Sequence, residues 1–504
     1  MKRVLTLLLA ILIVLPSAAG CEAERPPEDT SAAQPVTQTP VSDSGTTALL
    51  RENTPDGLPD DLNFNGATVV FTARNAYNKY VEGEDAGDII WSSVHDANLA
   101  VDERLKIKRE IVWGDSSSSA FAAQTANTIL AGTCENDIIE IDQYYGTSYA
   151  VKHIYANLKN TKYIDFAQPW WYNDYMEHLT VGNDALYFLG GDIAPLILAW
   201  ASCTFINQEL YRDHFGSPEE MYALVDEGKW TVDKMREMCQ TVYQDLDSDN
   251  QNSKEDVLGF AASKGQSAVF ASLCAGAEFS RREEDGHYTI TANSEENIRV
   301  FEKIFQLYNE TPGVYLYDYS ASPNMNRDVF AEGRALFMNE YFMYAWDPVI
   351  RQMEDSFGVI PRPKMDEEQK EYRTAMQDSM YLFTVPRTLP GERMDMISAV
   401  LEAQCAENYR RVFPAMFETA LKIKYNRDEQ NGATAARMID LIYENMISDF
   451  AVVFDNSLAN ISNTVGTMIQ NGQNSFASAY ARLAPAASKG LKKIEDAFLK
   501  TPDT

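Results

Sequence analysis

The stretch "ATVVFTA" at 67–73 is rich in β-branched and aromatic residues and follows a turn at Gly66. That is the composition of a buried strand. "AGDIIWSSVHDANLAVDERLKI" (86–107) then places apolar residues at helical spacing, and "NDIIEID" (136–142) is a second short apolar run. Strand, helix, strand in this order predicts a β-α-β unit, and with it α/β lobes built on mainly parallel sheets. "DALYFLGG" (184–191) follows Gly182-Asn183 and reads as a hairpin arm.

The middle of the chain reads as helical. In "SPEEMYALVDEG" (217–228), Ser217 is the expected N-cap, Pro218 the first helical residue and Gly228 the stop. "TVDKMREMCQTVYQDL" (231–246) sets Met235, Met238, Cys239 and Val242 on one face, and "IRVFEKIFQLYNE" (298–310) does the same with Ile298, Phe301, Phe305 and Tyr308. The apolar and aromatic "GRALFMNEYFMYAW" (333–346) is grouped with this helical middle, and 391–500 is again mostly helical. No internal repeat is found.

At 504 residues the chain is long enough for two or three domains. Its 45% hydrophobic and 23% charged residues are ordinary globular composition. The net charge of −31 argues against nucleic acid and against anionic lipid headgroups, since "LKIKRE" (105–110) is the one basic cluster. Beyond the first twenty residues no run is long and apolar enough to span a bilayer.

The N-terminus reads as a processing segment. "MKR", then "VLTLLLAILIVL", then "PSAAGC" gives a positive start, an apolar core and small residues before Cys21, so 1–20 is the expected signal peptide. Ala18-Ala19-Gly20-Cys21 resembles the bacterial lipobox, although Ala18 stands where that motif prefers Leu. The resemblance implies a lipid on Cys21. The alternative is a soluble secreted protein cut nearby. Residues 21–60, rich in Pro, Ser, Thr and Glu, are the expected flexible tether. Cys134, Cys203, Cys239, Cys274 and Cys405 form no CxxC pair, so neither zinc nor a disulfide framework is indicated, and buried small hydrophobes are expected.

Five fragments in order, "YIDFAQPWW" (163–171), "DEGKWTVDKM" (226–235), the acidic loop near 245, "FAEGRALFM" (330–338) and "FGVIPRPKMDEEQKEY" (357–372), resemble the extracellular solute-binding proteins of ABC importers. The branch is the carbohydrate-type group with the maltose-binding-like lipoproteins of Gram-positive bacteria, solute-binding protein family 1. The resemblance implies a two-lobed periplasmic-binding-protein-like α/β fold with the ligand in the cleft between lobes. It places lobe one at 61–196 plus 334–384 and lobe two at 197–333 plus 385–504. It also implies a monomer that hands its ligand to an ABC permease, anchored at the outer face of the cytoplasmic membrane.

Sugar sites combine flat aromatic platforms with planar polar side chains. Such residues follow the expected strands at Arg74, Asn75 and Tyr77, and at Asp142, Tyr144 and Tyr145. Trp170 and Trp171 after Pro169 are further candidates, with lobe packing as the alternative, and so are Asn339, Tyr341, Tyr344 and Trp346. Trp230 is expected to pack a helix start.

"DLDSDNQNSKED" (245–256) fits the twelve-residue calcium loop at Asp245, Asp247, Asp249, the Gln251 carbonyl, Ser253 and Asp256. Asn250 replaces the usual glycine, and Asp256 replaces the bidentate glutamate. Structural calcium and a solvated acidic turn both remain open. No histidine sits in a metal spacing, no GxSxG element occurs and no carboxylates pair, so a binding protein for a mono- or oligosaccharide is favoured over an enzyme. The alternatives are an exported glycoside-acting enzyme and a sensor or adhesion protein on the same fold.

Overall fold

The computed structural model describes residues 51–85, 87–376, 380–416 and 432–499. The expected signal peptide, Cys21 and most of the expected tether lie outside them.

Strand β1 (Ala67–Arg74) starts after a left-handed turn at Asn65 and Gly66. Helix α1 (Ile89–Leu105) is capped by Asp88, whose carboxylate accepts from the Ile90 amide at 2.9 Å. It buries Ile90, Val94, Ala97, Val101 and Leu105, a single stripe at helical spacing. Strand β2 (Ile107–Gly114), helix α2 (Ser118–Leu130) and strand β3 (Ile138–Asp142) complete two β-α-β crossovers. Every residue of β3 is buried, as a central parallel strand requires.

Further along come β4 (Ser202–Asn207), α3 (Pro218–Asp226), α4 (Val232–Val242), β5 (Phe260–Ser263), α5 (Glu295–Asn309), β6 (Val314–Tyr317), β7 (Phe337–Tyr341), β8 (Phe357–Ile360), β9 (Thr374–Ala375) and β10 (Tyr381–Thr384). The described chain ends with α6 (Gly391–Glu407), α7 (Gly432–Glu444), β11 (Met446–Ile447) and α8 (Phe476–Leu499). Ser217 caps α3 and a left-handed Gly228 follows it, as expected. Helix α4 buries Met235, Met238, Cys239 and Val242.

The first sheet has the order β10-β3-β1-β2. β1 runs parallel to β2 and β3, while β10 is antiparallel, with Tyr381 opposite Asp142 and Phe383 opposite Glu140. Strand β2 forms one edge. In the second sheet β4 lies between β7 and β8, both antiparallel to it, with Tyr341 opposite Ser202 and Ile360 opposite Thr204. β5 and β6 pair in parallel, and β5 packs beside β7. β9 pairs with β11, and Ala201 bridges Met376. Two crossing segments, at 199–202 and 374–376, therefore run side by side between the sheets.

Three expectations change. Residues 333–346 form strand β7 and a short 3-10 turn rather than a helix, because Ala335 to Met338 are enclosed on both faces and the run has strand length. The division at 334 and 385 does not describe the packing. β7 and β8 pair with β4, whereas α6 lies on α1 and its Arg393 pairs with Asp137 of the first sheet's side. Finally, residues 51–60 are not loose tether. Asp56 is buried in ion pairs with Arg104 and, at 3.3 Å, Arg410, Leu58 is buried, and the Arg51 guanidinium lies 3.6 Å from the Phe413 ring centre.

Candidate functional site

Arg74 closes β1 at its carboxyl end. Its Nη1 donates to the hydroxyl of Ser118, the first residue of α2, and its guanidinium carbon lies 5.1 Å from the centre of the Tyr381 ring. On the neighbouring strand Glu140 is buried. Burial pushes its carboxyl up to about 8, and Arg74 only partly opposes the shift. Tyr381 begins β10. Its hydroxyl is buried and has no hydrogen-bond partner among the described residues.

Tyr77 sits past the end of β1 with a left-handed backbone (φ 56°), which turns its ring outward, 37% exposed. That ring stands edge-on to Tyr381 at 6.4 Å and to Trp200 at 5.8 Å. Trp200 occupies the first crossing, half-buried, and its indole N–H has no partner among the described residues. It lies 5.4 Å from Tyr341, which stacks with Tyr344 at 6.4 Å. Tyr344 in turn lies under the Arg327 guanidinium at 5.0 Å, and Arg327 is paired with Asp347. Half-buried Glu340 accepts from the Asn326 side-chain amide, and desolvation pushes it up to about 7. One aromatic surface thus runs from the carboxyl end of the first sheet, across the crossing, to the end of β7. Aromatic faces in this arrangement offer apolar platforms with polar rims.

Of the expected residues, Arg74, Tyr77, Tyr341 and Tyr344 belong to this surface. Asn75 is exposed beside it in sequence, and Trp346 is half-buried. Asp142 is buried and accepts from the Tyr145 amide at 3.1 Å, while the Tyr144 hydroxyl donates to Asn460 at 2.8 Å. Three expectations are corrected. Trp170 and Trp171 are 0% and 3% exposed, and both indoles donate to Glu402, so they are core. Asn339 is buried within the second sheet and accepts from Thr204 at 2.7 Å. Trp230 is core as expected, donating to the Pro361 carbonyl. Trp200, Tyr381 and Glu140 escaped the sequence reading. The signal for Glu140 was a charge flanked on both sides by isoleucine within a wholly buried strand.

In the acidic loop Asp245, Asp247 and Asp249 bring oxygens within 4.8 Å of one another. Asn250 takes the left-handed backbone (φ 58°) that a calcium loop needs at its sixth position. Asp256 and Gln251 do not join them. The Asp256 carboxylate is buried and accepts from the amides of Leu246 and Ser253, and the Gln251 carbonyl accepts from Tyr243. Asp245 accepts from the amides of Ser248 and Asn250, so the loop also closes on its own hydrogen bonds, which hold this carboxyl below its ordinary range. The five cysteines among the described residues are free, and Cys203, Cys239, Cys274 and Cys405 are buried.

No family model and no curated protein matches the chain. Solved structures do. The ABC transporter associated binding protein from B. animalis subsp. lactis Bl-04, in complex with beta-1,6-galactobiose, is 13% identical, with 84% of this chain and 99% of that one covered and a TM-score of 0.55. The maltose/maltodextrin-binding domain MalE from Bdellovibrio bacteriovorus, bound to maltotriose, is 11% identical over 84% of this chain and 100% of that one, with a TM-score of 0.52. M. tuberculosis UspC gives 12%, 84%, 100% and 0.52 for the same measures. The likeness shows the fold, a two-lobed α/β arrangement of the periplasmic-binding-protein type.

Proposed function

We propose that this chain is a non-catalytic solute-binding protein that captures a carbohydrate between its lobes and passes it to an ABC permease. The observation that carries the reading is the continuous aromatic surface of Tyr77, Trp200, Tyr341, Tyr344 and Tyr381, laid across a crossing between the two sheets. Sugar C–H faces pack on such rings, and unpartnered groups such as the Trp200 N–H and Tyr381 O–H would find partners in sugar hydroxyls. Adjacent crossings suit a hinge that buries ligand from both sides. The solved structures of this fold in complex with beta-1,6-galactobiose and with maltotriose support the same class. The reading includes lipid anchoring through Cys21 at the outer face of the cytoplasmic membrane, supported by the lipobox-like sequence, and a weak structural calcium site at Asp245, Asp247 and Asp249, supported by their convergence.

The test is a thermal-shift screen of the mature chain against a carbohydrate library. A ligand at a hundredfold excess over its dissociation constant stabilises by about 2.7 kcal/mol. Solution scattering should record compaction with any hit, and chromogenic glycosides should not turn over. A library without a single stabilising sugar would sink the proposal. Turnover of a glycoside would replace it with the enzyme reading.

A further inference from the structure

Several buried hydrogen donors lie around Tyr381, the edge-on neighbour of the Tyr77 ring, with the Asp142 carboxylate opposite Tyr381 as an acceptor. Arg74 makes no ion pair among the described residues, and its Nε is buried without a partner. Its guanidinium is seated on the first residue of α2, so the positive end of that thirteen-residue helix adds to its field. The Trp200 N–H can only donate. The Tyr381 hydroxyl, on a side chain 2% exposed, has no partner among the described residues. Glu140 is buried as well, and burial favours its neutral form, which donates too. The charge that acts on it is Arg74 from β1, while Tyr381 faces it from β10 and is itself acted on by Arg74, Glu140 and Asp142.

A neutral hydroxyl would satisfy some of these donors but would leave the Arg74 charge without a counter-charge. A carboxylate satisfies the donors and supplies that charge, with a geometry a guanidinium matches. We propose that the cluster of Arg74, Glu140 and Tyr381 receives the carboxylate of an acidic sugar, a hexuronate, whose ring lies against Tyr77 and Trp200. The proposal rests on the carbohydrate reading and narrows it.

The approach of a carboxylate favours protonated Glu140, so affinity falls as pH rises through about 8, the value to which burial pushes this group. Glu140→Gln removes that fall.

The experiment is calorimetric titration of the mature chain with galacturonic, glucuronic and mannuronic acids and their disaccharides, each beside its neutral counterpart. At least one acid should bind about tenfold or more tighter than its neutral partner, the size expected of a charged hydrogen bond. Arg74→Gln should erase that preference, and Arg74→Lys, which keeps the charge without the fork, should restore part of it. Melting curves of both variants establish that they are folded. Between about pH 6 and about pH 9 wild type should lose acid-sugar affinity while Glu140→Gln holds it. Neutral sugars that match or exceed their acids in every pair would overturn the proposal and leave the carbohydrate reading standing. So would an Arg74→Gln variant that weakens both series equally. Binding by neither series, together with an empty thermal-shift screen, would remove both readings.

Discussion

Glu402 offers a quantitative test of which tryptophans are structural. Its carboxyl lies fully buried on α6 and accepts from the Trp170 indole at 3.2 Å, the Trp171 indole at 2.9 Å and the Asp165 amide at 3.2 Å. Glu402→Ala leaves two buried indole N–H groups and the part-buried Asp165 amide without their acceptor. At about 1–3 kcal/mol for a buried unpaired group, and with partial relaxation, the loss should be about 4 kcal/mol. Glu402→Gln keeps the shape and differs in its pH dependence. Burial pushes the wild-type carboxyl up from 4.5 to about 7, although the two indoles and the Asp165 amide oppose the shift. The folded state therefore holds this proton more tightly than the unfolded state. The stabilisation is complete below the unfolded value and is lost as pH rises through the folded one. Across that window wild type should lose on the order of 3 kcal/mol through this group. Glutamine does not titrate, so the difference between the two proteins should move in favour of Glu402→Gln by that amount. Glu140, Glu340 and Asp192 are also pushed up, to about 8, 7 and 7, but they are common to both proteins and cancel. Urea unfolding in a series of buffers measures it. Parallel pH curves for wild type and Glu402→Gln, or an alanine variant as stable as wild type, would refute the reasoning.

Asp56→Asn should destabilise by about 3 kcal/mol, because it leaves Arg104 and Arg410 facing a neutral group in a buried site. Burial raises Asp56, but Arg104, the Leu58 amide and Arg410 together outweigh it and hold the group below 3.8, so its contribution should fade only as acid titration passes below that value. Trp200→Ala should weaken binding of any sugar hit by on the order of 1 kcal/mol or more while the fold persists, as calorimetry would record. Trp346→Ala should weaken it less if only the Trp200 surface stacks ligand. A chelator should lower the melting temperature, and Asp247→Ala should abolish that sensitivity; curves indifferent to calcium would leave the loop a self-bonded acidic turn. Cys21→Ser should move the protein out of the membrane fraction, and unchanged retention with normal cleavage would dispose of the lipid anchor.

Local pattern carried most of the architecture. The stripe of α1, the cap and stop around α3 and the buried face of α4 all follow from spacing and capping chemistry. Strand β7 did not, because a continuous apolar run has no period to separate strand from helix, and only its neighbours β4 and β5 decide. The site was half legible for a related reason. Arg74 and Tyr77 stand where a strand visibly ends. Trp200 sits in "LILAWAS", which reads as core, and its exposure follows from the crossing rather than from its neighbours in sequence. Trp170 and Trp171 misled in the opposite sense, since their partner Glu402 lies more than two hundred residues away.

The first sheet ends at β2, eight residues with no further strand beside them among the described residues. An open edge of that length can template pairing with a second molecule. The hazard grows when many copies crowd a surface, as anchored chains would. Lys108 and Glu110 both project into solvent from this strand, and Val112 beyond them is 39% exposed. Charges placed along an edge make edge-to-edge docking of two copies unfavourable. These two exposed charges, on the edge strand and outside the aromatic surface described above, are suited to discourage such pairing. Replacing both with valine should raise the tendency of the molecule to self-associate through this edge, as light scattering at increasing concentration would record.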